Sequence, residues 1–117
     1  MNGECSCWTH VREMAIPYLI VSDAASALDF YREIFGAADI VRLSTSDGNI
    51  GHAELMLADG KIMLADEYPE MGYKSPTSLG ESPVSIYVTV PDVDATYERA
   101  LSAGATSMMP VGDQFDW

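Results

Sequence analysis

Tyr18-Leu19-Ile20-Val21-Ser22-Asp23 opens a unit that the chain repeats as Tyr87-Val88-Thr89-Val90-Pro91-Asp92. A helically spaced run follows each stretch and ends in a Gly-Ala pair, Gly36-Ala37 in the first copy and Gly104-Ala105 in the second. Both copies read alike: a strand, an aspartate at a helix start, an amphipathic helix, and a glycine stop before another strand. An internal duplication of a βα unit narrows the fold more than any single residue does. It also points to the cleft between paired modules as the place for a ligand.

In the first copy, residues 15–22 carry Ile16, Tyr18 and Ile20 on one face and Pro17, Leu19 and Val21 on the other. Both faces are apolar, which predicts a buried strand. Asp23 can cap the next helix by accepting its free N–H groups. Residues 24–35 continue with Ala27, Tyr31, Ile34 and Phe35 on one stripe. Gly36 ends the helix, because glycine takes the left-handed conformation at little cost. A second strand is expected at 40–43. Strands at 50–58 and 61–66 follow, joined by Asp59-Gly60, a strong two-residue hairpin signal. This makes a βαβββ module over residues 14–67.

Residues 68–83 contain Pro69, Pro76 and Pro83 with Gly72 and Gly80, and read as a crossover linker or a lid over the cleft. The second module, residues 84–117, has a strand at 84–90, a helix from Asp92 to Ala103, and a strand at 106–111. The buried stripe of that helix is expected to be Val93, Tyr97, Ala100 and Leu101. By symmetry with the first module two more strands should follow, so this module reads as truncated. Its sheet edge would be exposed or covered by a partner chain.

At 117 residues with 48% hydrophobic content, the chain is a single domain with room for a core. Eighteen acids against six bases give a net charge of −12, which repels nucleic acid and anionic membrane and tolerates a cationic ligand. The ordinary role of such a surface is solubility. No apolar run is long enough to cross a bilayer. No secretory signal is evident, so a cytoplasmic location is expected. Residues 1–13 read as an N-terminal extension, expected to be disordered. They hold Cys5, Cys7 and His10, three crowded ligand types without a fourth nearby, so zinc binding is not expected there. A phosphate-cradling glycine loop, a Gly-x-Ser-x-Gly elbow and a Cys–His nucleophile pair are all missing from the domain.

Further stretches extend the pattern: Leu28 to Ala37, Gly51-His52-Ala53-Glu54-Leu55, Ile62 to Glu67, Val90-Pro91-Asp92-Val93-Asp94, Ala103-Gly104-Ala105 and Asp113-Gln114-Phe115. Together with residues 16–23 they resemble the vicinal oxygen chelate superfamily, the glyoxalase/bleomycin-resistance/dioxygenase group, and within it the demethylubiquinone methyltransferase-like subgroup. The resemblance implies an α+β fold in which paired βαβββ modules curve a sheet around a cleft, often in a homodimer. In metal-using members the first and last strands of each module supply the ligands. Carried onto this sequence, those positions are Ile16, Met63 and Ser85. Zinc, iron and nickel sites want His, Glu, Asp or Cys. The usual metal site is therefore not expected, and the chain leans away from being an enzyme.

Strand alternation places Ile16 and Tyr18, then His52, Glu54 and Met56, then Met63, then Ser85, Tyr87 and Thr89 on one cavity face. The opposite face (Leu19, Val21, Leu55, Leu57, Ile62, Leu64, Ile86, Val88) should pack on the helices. The candidate ligand-binding set is Tyr18, His52, Glu54, Met56, Met63, Ser85 and Tyr87. His52 and Glu54 lie ~6.5–7 Å apart along one strand face and are the candidates for proton transfer. Tyr18 and Tyr87 hold equivalent places in the two modules and could stack on a planar ligand.

The function these features imply is metal-independent binding of a small molecule, with sequestration of a cationic aromatic compound. Two alternatives stay open. One is a metal-dependent lyase, isomerase or dioxygenase with a divalent metal shifted to His52 and Glu54. The other is an incomplete, non-catalytic family member.

Overall fold

The computed structural model describes residues 14–112. Cys5, Cys7, Trp8, His10 and the stretch Asp113 to Trp117, with the expectations attached to them, lie outside the described residues. The fold is α+β, a curved open sheet of four strands with helices against it. The strands are β1 (Tyr18–Val21), β2 (Ala38–Ser44), β3 (Ile50–Leu57) and β4 (Gly60–Asp66), in the order β1-β4-β3-β2. Helix α1 (Ala24–Phe35) connects β1 to β2. A 3₁₀ turn (Pro69–Met71), the one-turn helix α2 (Pro76–Leu79) and α3 (Val93–Ser102) complete the described elements.

Local signals set the ends of α1. The Asp23 carboxylate accepts the Ser26 N–H at 3.1 Å, and Gly36 closes the helix at φ 68°. Ala24, Leu28 and Ile34 are its most buried residues, with Ala27, Tyr31 and Phe35 packed beside the core. The buried stripe thus runs through Ala24 and Leu28 as well as the four residues expected from spacing. Helix α3 is built the same way, with the Asp92 carboxylate accepting the Ala95 N–H at 3.0 Å. It packs on α1, and the Arg99 guanidinium donates to the Ile34 carbonyl at 3.2 Å. Its buried residue is Thr96, and Val93, expected inside, is 56% exposed.

The sheet separates two faces. Ala53, Leu55, Ile62 and Leu64 lie on the helix side and are buried, all but Ile62 fully so. Tyr18, Met63 and Glu54 form one cross-strand row on the open side, and Ile20 faces Ala65 in the next.

Several expectations need correction. The strand at 15–22 shortens to Tyr18–Val21, and it is an edge strand that pairs in parallel with β4 alone. The hairpin turn is one residue earlier than expected: Leu57 pairs with Gly60, so Ala58 and Asp59 form the turn. Ala58 takes φ 56° there, a conformation that costs an L-residue roughly 1–2 kcal/mol. Ala58→Gly is therefore expected to stabilise the domain by about 0.5–1 kcal/mol net of glycine's extra chain entropy, read as a higher urea midpoint at unchanged slope.

The largest difference is in the second half. Residues 84–90 and 106–111 are not strands, and all four strands come from the first module. A strand exists by its ladder, and neither segment pairs with an edge of the sheet. Val88 packs on the core, while Val84 and Tyr87 stand 65% and 81% exposed.

Candidate functional site

Three carboxylates anchor the region beside the open face. Asp66, at the end of β4, accepts the Ala24 N–H on one oxygen and the Ile50 N–H on the other, both at 2.7 Å. One side chain thus fixes the first residue of α1 and the first residue of β3. Glu67 accepts the Ser75 N–H at 2.9 Å and the Ser78 hydroxyl at 2.8 Å. These bonds hold its carboxyl below the usual range, the Ser75 backbone bond contributing most. They also tie residues 68–79 back onto the sheet as a strap. Tyr68 and Tyr73 exchange backbone hydrogen bonds across its turn, at 2.7 and 3.2 Å. The third carboxylate, Asp47, sits in the β2–β3 loop. Its hydrogen bonds from Thr45 and then Asn49 hold it below the usual range too.

Strap, loop and sheet enclose a cleft of about 600 Å³. Its aromatic wall is Tyr18, Tyr68 and Tyr73, its carboxylates are Asp47, Asp66 and Glu67, and Ile20 and Ala65 lie on the sheet floor. Among the described residues no Lys, Arg or His lines it. The cleft therefore offers aromatic faces in a negative field, which suits a flat cation.

Glu67 carries a pH prediction. Its folded-state pKa is depressed, so its contribution to stability is complete above the unfolded value of about 4.3 and is lost as pH falls through the lower folded value. Wild type should exceed Glu67→Gln in urea midpoint at pH 6, and the gap should shrink between pH 4 and pH 3. A gap that stays constant down to pH 3 would contradict the assignment.

Next to the cleft a chain of four polar side chains crosses three strands. The Tyr18 hydroxyl lies 2.8 Å from His52 Nδ1, His52 Nε2 lies 2.9 Å from Glu54, and the second Glu54 oxygen lies 2.9 Å from the Lys61 ammonium. The Tyr18 and His52 rings are 5.5 Å apart and tilted by 44°. Glu54 is held below the usual carboxylate range by its bond to His52 first and Lys61 second. Tyr18 is raised above the usual phenol value, by burial first and then by the Tyr73 and Glu54 charges.

Of the residues expected at the site, the structure brings Tyr18, His52 and Glu54 into direct contact. Met63 faces both Tyr18 and Glu54 across the ladders, and Met56 faces Lys61. Ser85 and Tyr87 are exposed and lie outside both the sheet and the cleft lining. Lys61 was readable from the sequence, since β4 alternation puts it on Met63's face. Ile20 shares Tyr18's face for the same reason. Tyr68 and Tyr73 had no such signal.

The metal positions implied by the resemblance do not fit a metal. Ile16 and Met63 offer no hard donor, and Ser85 stands outside the sheet. Among the described residues no group of three or more His, Cys, Asp and Glu could hold a metal ion. Among the same residues, no helix is long and apolar enough to cross a membrane.

Two curated relatives, uncharacterised proteins of Mycobacterium bovis and Mycobacterium tuberculosis, are each 50% identical over 101 residues, 84% of this chain. The chain spans 66% of the first relative's length and 59% of the second's. Among solved structures, an Arabidopsis thaliana gene product superposes with a TM-score of 0.69 at 24% identity, over 86% of this chain and 80% of that one. TioX from Micromonospora gives 0.63 at 26% identity, over 87% and 79%. A fosfomycin resistance protein of Listeria monocytogenes, complexed with Mn(II) and 1S,2S-dihydroxypropylphosphonic acid, gives 0.60 at 18% identity, over 89% and 78%. The first and third of these likenesses speak to fold alone. A family model matches residues 9–117, nearly the whole chain, and the protein belongs to the Glyoxalase/Bleomycin resistance protein/Dioxygenase superfamily.

Proposed function

We propose that this domain is a metal-independent small-molecule binding protein whose cleft sequesters a cationic aromatic compound. The observation that supports this reading is the lining itself: three tyrosines and three carboxylates, with no base among the described lining residues, around about 600 Å³. That volume suits a ligand of a few fused rings, within the roughly 300–1,000 Å³ of small-molecule sites. Tyrosine faces attract a cation through the ring quadrupole, and the carboxylates add a field of the right sign.

The test is equilibrium dialysis at pH 8 with 10-methylacridinium, a permanent cation, and acridine, its neutral analogue at that pH. The reading expects the cation to bind about tenfold more tightly, as one cation–π contact and a negative field would supply. Equal binding of the two would contradict it.

A second reading is favoured by the chain from Tyr18 to Lys61. It is a lyase, isomerase or dioxygenase that uses a divalent metal at His52 and Glu54, the metal-dependent alternative. Those donors are already engaged by Tyr18 and Lys61, so a metal would have to displace both partners. The binding reading asks for no such rearrangement.

A further inference from the structure

The three carboxylates of the cleft are not equivalent, and their hydrogen bonds sort them. Asp66 is committed to the fold, because each of its oxygens accepts a backbone N–H at 2.7 Å. Glu67 is committed to the strap. The Ser75 N–H and the Ser78 hydroxyl both reach its Oε1, and the Ser75 hydroxyl stabilises its charge as well. Asp47 is different. The Thr45 hydroxyl and the Asn49 N–H both donate to Oδ1, the latter at 3.3 Å. Among the described residues no other residue donates to Oδ2. No base among them pairs with Asp47 either: Arg32 and Arg42 pair with Asp39, and Lys61 pairs with Glu54.

The loop that carries this free oxygen is closed on itself. The Thr45 N–H donates to the Asn49 carbonyl at 2.7 Å, and the Gly48 N–H to the Thr45 carbonyl at 3.1 Å. The carboxylate is thus held in place before a ligand arrives, which lowers the ordering cost of using it. The bonds to Oδ1 also keep it ionised at neutral pH.

The aromatic wall and Asp47 enter the cleft from different sides. Tyr18 stands on the edge strand β1, with Tyr73 of the strap beside it. Asp47 belongs to the loop that joins β2 to β3. In the order β1-β4-β3-β2, two inter-strand spacings of about 5 Å each separate β1 from β3. A ring on the tyrosines leaves Oδ2 out of its own reach, and a short side arm on that ring would bridge the gap.

We propose that Asp47 is the specificity-determining carboxylate of the cleft, and that the ligand is an aromatic cation carrying a second cationic centre on a short arm. The ring lies against the tyrosines, and the arm places its charge at Asp47 Oδ2. This deepens the binding reading given above and rests on it.

Two permanent cations built on one phenanthridinium ring test the proposal. Ethidium carries an ethyl group on the ring nitrogen, and propidium carries there a three-carbon arm that ends in a quaternary ammonium. Their affinities for the full chain are read by fluorescence titration at about 0.15 M ionic strength, where charges are screened over about 8 Å. A net charge of −12 favours any dication, so the deciding quantity is the change in the propidium-to-ethidium affinity ratio on substitution. Asp47→Asn is expected to lower that ratio about fivefold, the top of the range for an exposed ion pair, because the carboxylate is already held in place. The substitution keeps a carbonyl acceptor for Thr45 and Asn49. Asp59→Asn removes the same unit of charge from the hairpin turn, roughly 20 Å away along β3, and should leave the ratio unchanged. A fall of less than about twofold in Asp47→Asn, or an equal fall in Asp59→Asn, would overturn the proposal and leave the binding reading standing. Loss of ethidium binding in Asp47→Asn would overturn it too, by placing the ring charge on Asp47 instead of the arm. If neither dye binds the wild-type chain, the binding reading fails and the proposal fails with it.

Discussion

Asp66→Ala is expected to lower stability by about 2–4 kcal/mol, because it strands two partly buried backbone N–H groups that cost roughly 1–3 kcal/mol each when unpaired. The loss should appear as a urea midpoint about 1–2 M lower with the slope unchanged. Few single side chains here carry as much. Its two oxygens join the start of α1 to the start of β3, and they do so at the floor of the cleft. Asp66→Asn should not restore the loss. It keeps one acceptor but turns an NH₂ toward the other N–H. A midpoint within 0.3 M of wild type in the alanine variant (about 0.5 kcal/mol) would show that the two N–H groups find other partners.

The second large effect concerns binding. Tyr68→Ala combined with Tyr73→Ala is expected to weaken 10-methylacridinium by roughly thirty-fold, from two cation–aromatic contacts worth about 1 kcal/mol each. Both side chains are more than half exposed, 54% and 53%, so their loss should leave the fold intact. Fluorescence titration gives the affinity, and an unchanged far-ultraviolet dichroism spectrum confirms the fold. Affinity within twofold of wild type would remove the strap from the site and return the tyrosine wall to Tyr18.

These two cases show what was legible in the sequence. The limits of α1 were readable because their causes are local: Asp23 caps one end and Gly36 closes the other. The β3–β4 hairpin was readable from alternation, and its turn was misplaced by one residue because Ala58 adopts a conformation that glycine usually takes. The strands expected in the second half failed for a non-local reason. Their composition is right for strands, but a ladder needs a partner, and composition does not name one.

The candidate site divides the same way. Alternation puts Tyr18, His52 and Glu54 on one face, and of the three only Tyr18 lines the cleft. Asp66 has no such signal, since its partners lie 42 and 16 residues away in the chain. Tyr68 and Tyr73 sit in a Pro- and Gly-rich stretch whose path is set by Glu67 holding Ser75 and Ser78. No periodicity records such a contact. The duplication pairs Tyr87 with Tyr18, yet Tyr87 stands 81% exposed, because residues 84–90 form no strand of the sheet.

The central claim is that the cleft binds its ligand without a metal. The most direct test is a calorimetric titration of 10-methylacridinium into the full chain after exhaustive dialysis against a chelator, repeated with one equivalent of Mn(II), Zn(II) or Ni(II) restored. The account predicts the same affinity in every case. Binding that appears only when a metal is restored would contradict it and make His52 and Glu54 the first residues to replace.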